Sequence, residues 1–216
     1  ILPRAIGWVS TVSTDGISNL APISFFTAVG RMPPMVSLSL QSRSDGRLKD
    51  SFVNIRDTGE FCTNLVSLPQ AHQMHRSAAE FPSEVDEFEA VGLEKAPSLV
   101  VKPPRVAGAP ISFECSLERI IPIGDLDDHI VFGVVERFHI RDDLYLDTGR
   151  IDTAALNPVG RLAAEYTLVE NVFTTPLEDR TLKARREARM QRLDDKPTDF
   201  SPIDTSSWSA SGSTRD

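Results

Sequence analysis

Two apolar stretches, 109–123 (APISFECSLERIIPI) and 129–140 (HIVFGVVERFHI), are separated only by GDLDD. Valine, isoleucine and phenylalanine dominate both, and the polar link is turn-rich, so the two read as strands paired antiparallel. The front half supplies more strands. AIGWVSTVS (5–13) and ISNLAPISFFTAV (17–29) flank Asp15-Gly16, a dipeptide suited to a tight type I′ hairpin turn. PPMVSLSLQ (33–41) alternates as a third strand, entered through Pro33-Pro34, which cannot sit inside a ladder, and FCTNLV (61–66) is a short fourth. Six or more strands with short connections predict a mainly β (α+β) fold built on a closed or nearly closed barrel.

Helical patterns fall between the strands. KDSFVNIRDTGEF predicts a short helix with Asp50 or Ser51 as N-cap, Phe52 and Ile55 facing inward and Gly59 as the stop. LPQAHQMHRSAAEF (68–81) reads as a second. PSEVDEFEAVG (82–92), with Ser83 and Asp86 at capping-box spacing, reads as a third. The composition changes after Pro176. Residues 1–176 read as one domain, and 177–216 as a charged helical and Ser-rich extension. Its Phe200 and Trp208 suit docking on a partner subunit; the alternative is a solvated helix followed by a loose tail.

The net charge of −8 argues against nucleic acid as a partner, because phosphate neutralisation needs a basic surface. No apolar run reaches the roughly 20 residues of a membrane span. Cys62 and Cys115 lack any CxxC spacing and read as small core residues, in keeping with a reducing cytoplasm. His72 and His75 share a helix face without a further ligand at metal spacing, so no metal site is expected. His139 reads as a strand-surface residue and Trp8 as a barrel core residue.

Two segments have chemistry-bearing patterns. In SLSLQSRSDGRLKDSFVNI a strand passes through a polar loop into a helix N-terminus, where unpaired N–H groups favour an anion. Lys49, Arg43, Arg47 and the Ser51 hydroxyl make it a candidate monophosphate cradle, without the spacing of a P-loop. The alternative is an N-cap beside ordinary surface cations. In SNLAPIS, small polar residues and Pro22 occupy a strand arm. That arrangement suits a flat heteroaromatic ring lying on a sheet edge, which needs close approach and unpaired backbone groups. The alternative is an irregular edge strand with a bulge.

Taken in order, PRAIGWVSTVSTDGISNLAPISFF, PPMVSLSL and KDSFVNIRDTGEFCTNLV resemble the flavin reductase-like family of FMN-binding split-barrel proteins. GAPISFECSL, DHIVFGVVERFHI and NPVGRLAAEY are similar to its later segments, so the likeness extends over residues 2 to 168. The resemblance implies that Asn19, Leu20, Ala21 and Pro22 border the isoalloxazine ring of FMN and that Ser24 and Ser39 line the ribityl chain. By the same likeness Lys49, Asp50 and Ser51 receive the phosphate, with Gln41 and Arg47 near that end. It places His129, as the catalytic residue, near the ring where a nicotinamide or substrate approaches, with Arg161 and Tyr166 in the same region. The implied activity is hydride transfer from NADH or NADPH to FMN in a homodimer, with a monooxygenase as recipient of the reduced flavin. Two alternatives stay open: a flavoenzyme acting directly on an organic substrate, and a non-catalytic flavin-binding module.

The chain departs from the family pattern twice. Ala5 stands where the family has proline, and Ala163 and Ala164 replace two glycines, removing backbone freedom where a second ring would stack.

Overall fold

The computed structural model describes residues 1–147 and 149–169, so the expected extension at 177–216 lies outside the described residues. Short strands β1 (Arg4–Ala5), β2 (Gly7–Val12), β3 (Ser18–Ile23), β4 (Phe26–Arg31) and β5 (Pro34–Leu40) come first. Helix α1 (Asp50–Thr58), strand β6 (Glu60–Asn64) and helices α2 (Ala71–Arg76) and α3 (Glu87–Val91) follow. After a small pair, β7 (Lys95–Ala96) and β8 (Arg105–Val106), come the long strands β9 (Ile111–Ile123) and β10 (Asp128–Ile140), then β11 (Val159–Arg161) and β12 (Tyr166–Leu168).

The main sheet runs β3-β2-β6-β9-β10-β5-β4. Its two edge strands are consecutive in the chain and are joined only by Ser24 and Phe25. Laid flat, seven strands would set those edges nearly 30 Å apart, at about 4.8 Å per strand spacing. The link from Ile23 to Phe26 reaches about 10 Å. The sheet therefore has to curl until its edges meet. β3 and β4 do not pair, so the barrel stays split along that seam. The expected single arm over 17–29 is thus two strands with a corner at Ser24-Phe25, where the Phe25 carbonyl accepts the Ser39 N–H at 2.9 Å.

Two other local expectations are corrected. The hairpin turn is a three-residue loop rather than a two-residue type I′ turn. The Ser13 N–H donates to the Ile17 carbonyl at 2.9 Å, and Gly16 takes the left-handed conformation at φ +86°. The β2/β3 register runs unbroken from Gly7↔Ile23 to Val12↔Ser18, so the SNLAPI arm has no bulge. Pro22 is tolerated because β3 has only β2 as a neighbour.

Inside the barrel, Val9, Leu38, Ile55, Phe61, Cys115 and Val131 form the main core, closed by α1 through Phe52 and Ile55. β2 is buried on both faces. Val9 points into this core, whereas Trp8 lies in a second cluster outside the barrel with Leu20, Met74 and Phe88, under α2 and α3. Trp8 therefore packs against the outer wall, and its Nε1 donates to Ser77 Oγ at 2.9 Å.

The helices start differently from their sequence signals. Lys49, not Asp50 or Ser51, is the N-cap of α1: its carbonyl accepts from Phe52 and Val53, and no side chain caps the end. Asp50 is unavailable because its carboxylate is held by Arg43 and Ser83. Gly59 stops the helix at φ +75°. The second helix is a 3₁₀ turn at Leu68–Gln70 leading into the six residues of α2. Asp86 itself caps α3, accepting from the Phe88 N–H at 3.0 Å, so the Ser83 capping box does not form. No described helix is long and apolar enough to cross a membrane.

Strand β10 approaches β6 closely at one point. A Cβ on Gly133 would lie 2.3 Å from Cζ of the fully buried Phe61. Gly133→Ala is expected to cost about 1–3 kcal/mol through forced repacking, read by urea unfolding. An unchanged midpoint would show that the Phe61 contact is slack.

Candidate functional site

Where the split seam and α1 come together, two small cavities adjoin. The first, about 110 Å³, lies between β3, the start of α1, the 77–81 segment and α3. The second, about 170 Å³, lies at the Ser24-Phe25 corner and is bordered by Arg4, Ser24, Ser39 and Gln41. Pro22 and Lys49 line both, so the two form one groove with Lys49 at the junction.

Of the residues singled out from sequence, Asn19, Ala21, Pro22, Lys49, Asp50 and Ser51 line the first cavity. Ser24, Ser39 and Gln41 line the second, again with Pro22 and Lys49. The strand arm and the helical cap thus line one cavity together. Leu20 lines neither cavity; its side chain is fully buried in the Trp8 cluster. Arg47 is turned out to solvent, paired with Asp45 at 2.7 Å. His129 pairs with Leu40 on β5 and stacks on Phe52, ring centroids 4.1 Å apart, outside the lining of both cavities. Arg161 lies over the Tyr166 ring, and the Tyr166 hydroxyl bonds His75 Nδ1 at 2.9 Å; neither residue lines the groove.

The electrostatics of the groove centre on three side chains, Lys49, Arg43 and Glu87, and on the start of α1. Lys49 Nζ has no ion-pair or hydrogen-bond partner among the described residues. Arg43, its side chain only 8% exposed, pairs with Asp50 at 2.9 Å and donates to the Phe81 carbonyl, while its Nε has no partner. The N–H groups of Asp50 and Ser51 open α1 outside its own bonding ladder. This end of the groove is built to receive an anion.

The third group is Glu87, from α3. Its Oε1 accepts Asn19 Nδ2 at 2.7 Å and its Oε2 accepts the Leu20 N–H at 3.1 Å. Asn19 Oδ1 in turn accepts the Ser51 hydroxyl at 2.8 Å. The chain Glu87–Asn19–Ser51 ties α3, β3 and α1 together, three walls of one cavity. Burial pushes the Glu87 carboxyl up to about 7, with the Asp50 charge acting the same way against the pull of its N–H donors.

Sequence reasoning placed Arg43 beside the anion site but left Arg4 and Glu87 out. Arg4 carried a motif signal and reaches Ser24 Oγ at 3.2 Å. Glu87 carried none: its partner Asn19 is 68 residues away. His139 also corrects its surface reading. Its Nε2 lies 2.5 Å from Oε1 of Glu114, a fully buried carboxylate that also accepts N–H bonds from Leu99, Val100 and Val101. Burial raises the Glu114 carboxyl, but these donors outweigh it and leave the group below its ordinary value.

One family match and three solved structures bear on this arrangement. The flavin reductase like domain family matches residues 1–155. The structure of nitrilotriacetate monooxygenase component B from Bacillus cereus is 34% identical, with TM-score 0.77 over 81% of this chain and 88% of that one. The 2-nitrobenzoate 2-nitroreductase NbaA of Pseudomonas fluorescens is 28% identical, with TM-score 0.74 over 83% and 87%. A split barrel domain structure from Shewanella frigidimarina shares the fold at 21% identity and TM-score 0.72, over 81% and 86%.

Arg43→Ala strands Asp50 at the helix start and is expected to cost about 2–3 kcal/mol in urea unfolding. An unchanged stability would mean that solvent already satisfies both groups. Glu87 gives a pH test. Its folded carboxyl titrates at about 7 and its unfolded one near 4.3. The contribution of Glu87 to stability is therefore fullest below the unfolded value, declines as pH rises toward 7 by on the order of 3 kcal/mol, and is level above. In Glu87→Gln that decline should be missing; an equal slope in both proteins would refute the burial of an acid there.

Proposed function

The chain belongs to the flavin reductase like domain family, and from that premise we propose that it binds FMN non-covalently and reduces it with NADH or NADPH. The observation that carries the reading is the Lys49 ammonium, without a partner among the described residues, at the N-terminus of α1 and at the junction of the two cavities. Neither cavity alone reaches the ~300 Å³ at the low end of cofactor pockets and together they come just short of it, so one molecule would lie across both, beside Pro22 and Lys49, with part of it outside them.

The side chains present fit such a molecule. Lys49 and the first N–H groups of α1 hold a phosphate, while Arg43 keeps the Asp50 carboxylate occupied and turned from it. Ala21 and Pro22 carry no long side chain, so a flat ring can approach the β3 backbone. Ser51 has given its one hydroxyl proton to Asn19, so toward a ligand it can only accept. Arg4, tied to Ser24 and the Leu162 carbonyl, fixes a positive charge at the corner end. When bound, FMN supplies the hydride acceptor; the protein's part is to align two rings and stabilise the negative charge that follows reduction. His129 would act only from outside the groove, and a second subunit of a homodimer is the natural source of a further wall over the exposed Ala163 and Ala164.

The named role of the Bacillus cereus protein as a monooxygenase component favours delivery of the reduced flavin to a monooxygenase. A second reading has its own support. The resemblance to a nitroreductase, together with alanines where the family carries glycines, favours a flavin that stays bound and reduces an organic substrate directly.

Stopped-flow mixing of the FMN-loaded protein with NADH or NADPH is expected to bleach the flavin absorbance. Reoxidation of the still-bound reduced flavin by an added nitroaromatic would support the second reading, and no bleaching with any donor would refute both. Lys49→Ala is expected to weaken FMN binding by about 1.5–3 kcal/mol in a fluorescence titration. Equal affinity would remove Lys49 from the site.

A further inference from the structure

We propose that Glu87 takes up a proton whenever an anion occupies the cavity between β3 and α1, so that this site binds a phosphate-bearing ligand together with one proton. The proposal rests on the FMN reading for the identity of the anion; the coupling itself rests on the cavity.

The argument is one of charge and enclosure. Besides Glu87, the charged side chains lining the cavity are Arg43, Lys49, Asp50 and Glu80, two cations against two anions. Their formal charges cancel, so the ionisation of Glu87 alone decides whether the cavity is neutral or negative. Glu87 is 5% exposed, so no solvent shell screens it from what enters. Arg43 and Asp50 neutralise one another at 2.9 Å, and Glu80 is held by the N–H and hydroxyl of Ser44. Of the remaining charges near α3, Asp86 is paired with Lys95, and Arg76 of α2 donates to the Ala90 carbonyl. Lys49 offsets one charge of an incoming anion, and none of the others is placed to offset a second beside Glu87.

An incoming anion therefore meets either the repulsion of an ionised Glu87 or the cost of protonating it. The carboxyl already titrates at about 7, so the second route costs little near neutrality. The balance is ligand anion plus Glu87 carboxylate plus a solvent proton giving bound anion plus Glu87 carboxylic acid. Linkage then requires affinity to fall as pH rises past the titration of the free protein. The protonated acid keeps an acceptor oxygen for the Leu20 N–H or for Asn19, so the wall need not come apart.

The test is calorimetric titration of the full protein at pH 7.5 in buffers of different ionisation heat, with FMN and with sulfate, whose charge is constant over this range. Wild type is expected to take up more than about half a proton per anion, and Glu87→Gln close to none beyond that of the FMN phosphate itself. Wild-type affinity for FMN should fall several-fold between pH 6.5 and 8.5, a readout that stands even if the variant does not fold. FMN binding without proton uptake, with equal uptake in the variant, or with a flat pH profile overturns the Glu87 assignment and leaves the flavin reading intact. Proton-coupled sulfate binding without FMN binding supports the assignment and refutes the flavin reading. Failure to bind either anion overturns both.

Discussion

The two-residue link between β3 and β4 is the constraint from which the rest of the architecture follows. Because Ser24 and Phe25 alone join the opposite edges of a seven-stranded sheet, the sheet cannot lie flat. Curling it encloses the Val9–Phe61–Val131 core, with α1 closing the interior through Phe52 and Ile55. The same curl leaves a seam of unpaired strand edge, and the groove lies along it. A closed barrel would have covered β3 with a neighbour and left nothing for a ligand to lie against.

The seam is also where the molecule concentrates polar groups that a core would not tolerate. Asn19, Ser51 and Glu87 are each less than 10% exposed, yet each is satisfied by the others or by the Leu20 N–H. Their mutual bonds make the cavity walls one unit, so a charge change at α3 is felt at the head of α1. Lys49 stands apart from this network as a cation without a partner among the described residues. A half-buried cation left so at a helix N-terminus suits an anion that arrives from solution.

Much of this was legible in the sequence wherever the cause was local. Gly59 stopped α1 where expected, Phe52 and Ile55 faced the core, and the proline in SNLAPI marked an edge strand. The adjacency of the SNLAPIS arm to the KDS helix start was readable only through family likeness. Other features had no local signature. The corner at Ser24-Phe25 falls within a run of strand-forming residues, and only the closure of the sheet breaks it. Lys49 displaces Asp50 as N-cap because Arg43 of the preceding loop and the distant Ser83 claim the carboxylate. Glu87 sits in an acidic stretch that reads as a solvated helix face, and Glu114 in a strand whose partner His139 lies on the next strand. Buried carboxylates of this kind are set by contacts made after folding, and pattern alone does not reveal them.

The account stands or falls on the position of the phosphate. A crystal structure of the protein grown with FMN is expected to show phosphate oxygens within about 3 Å of Lys49 Nζ and of the first N–H groups of α1, with the ring against β3. Density for FMN elsewhere, with Lys49 still unpaired, would contradict it.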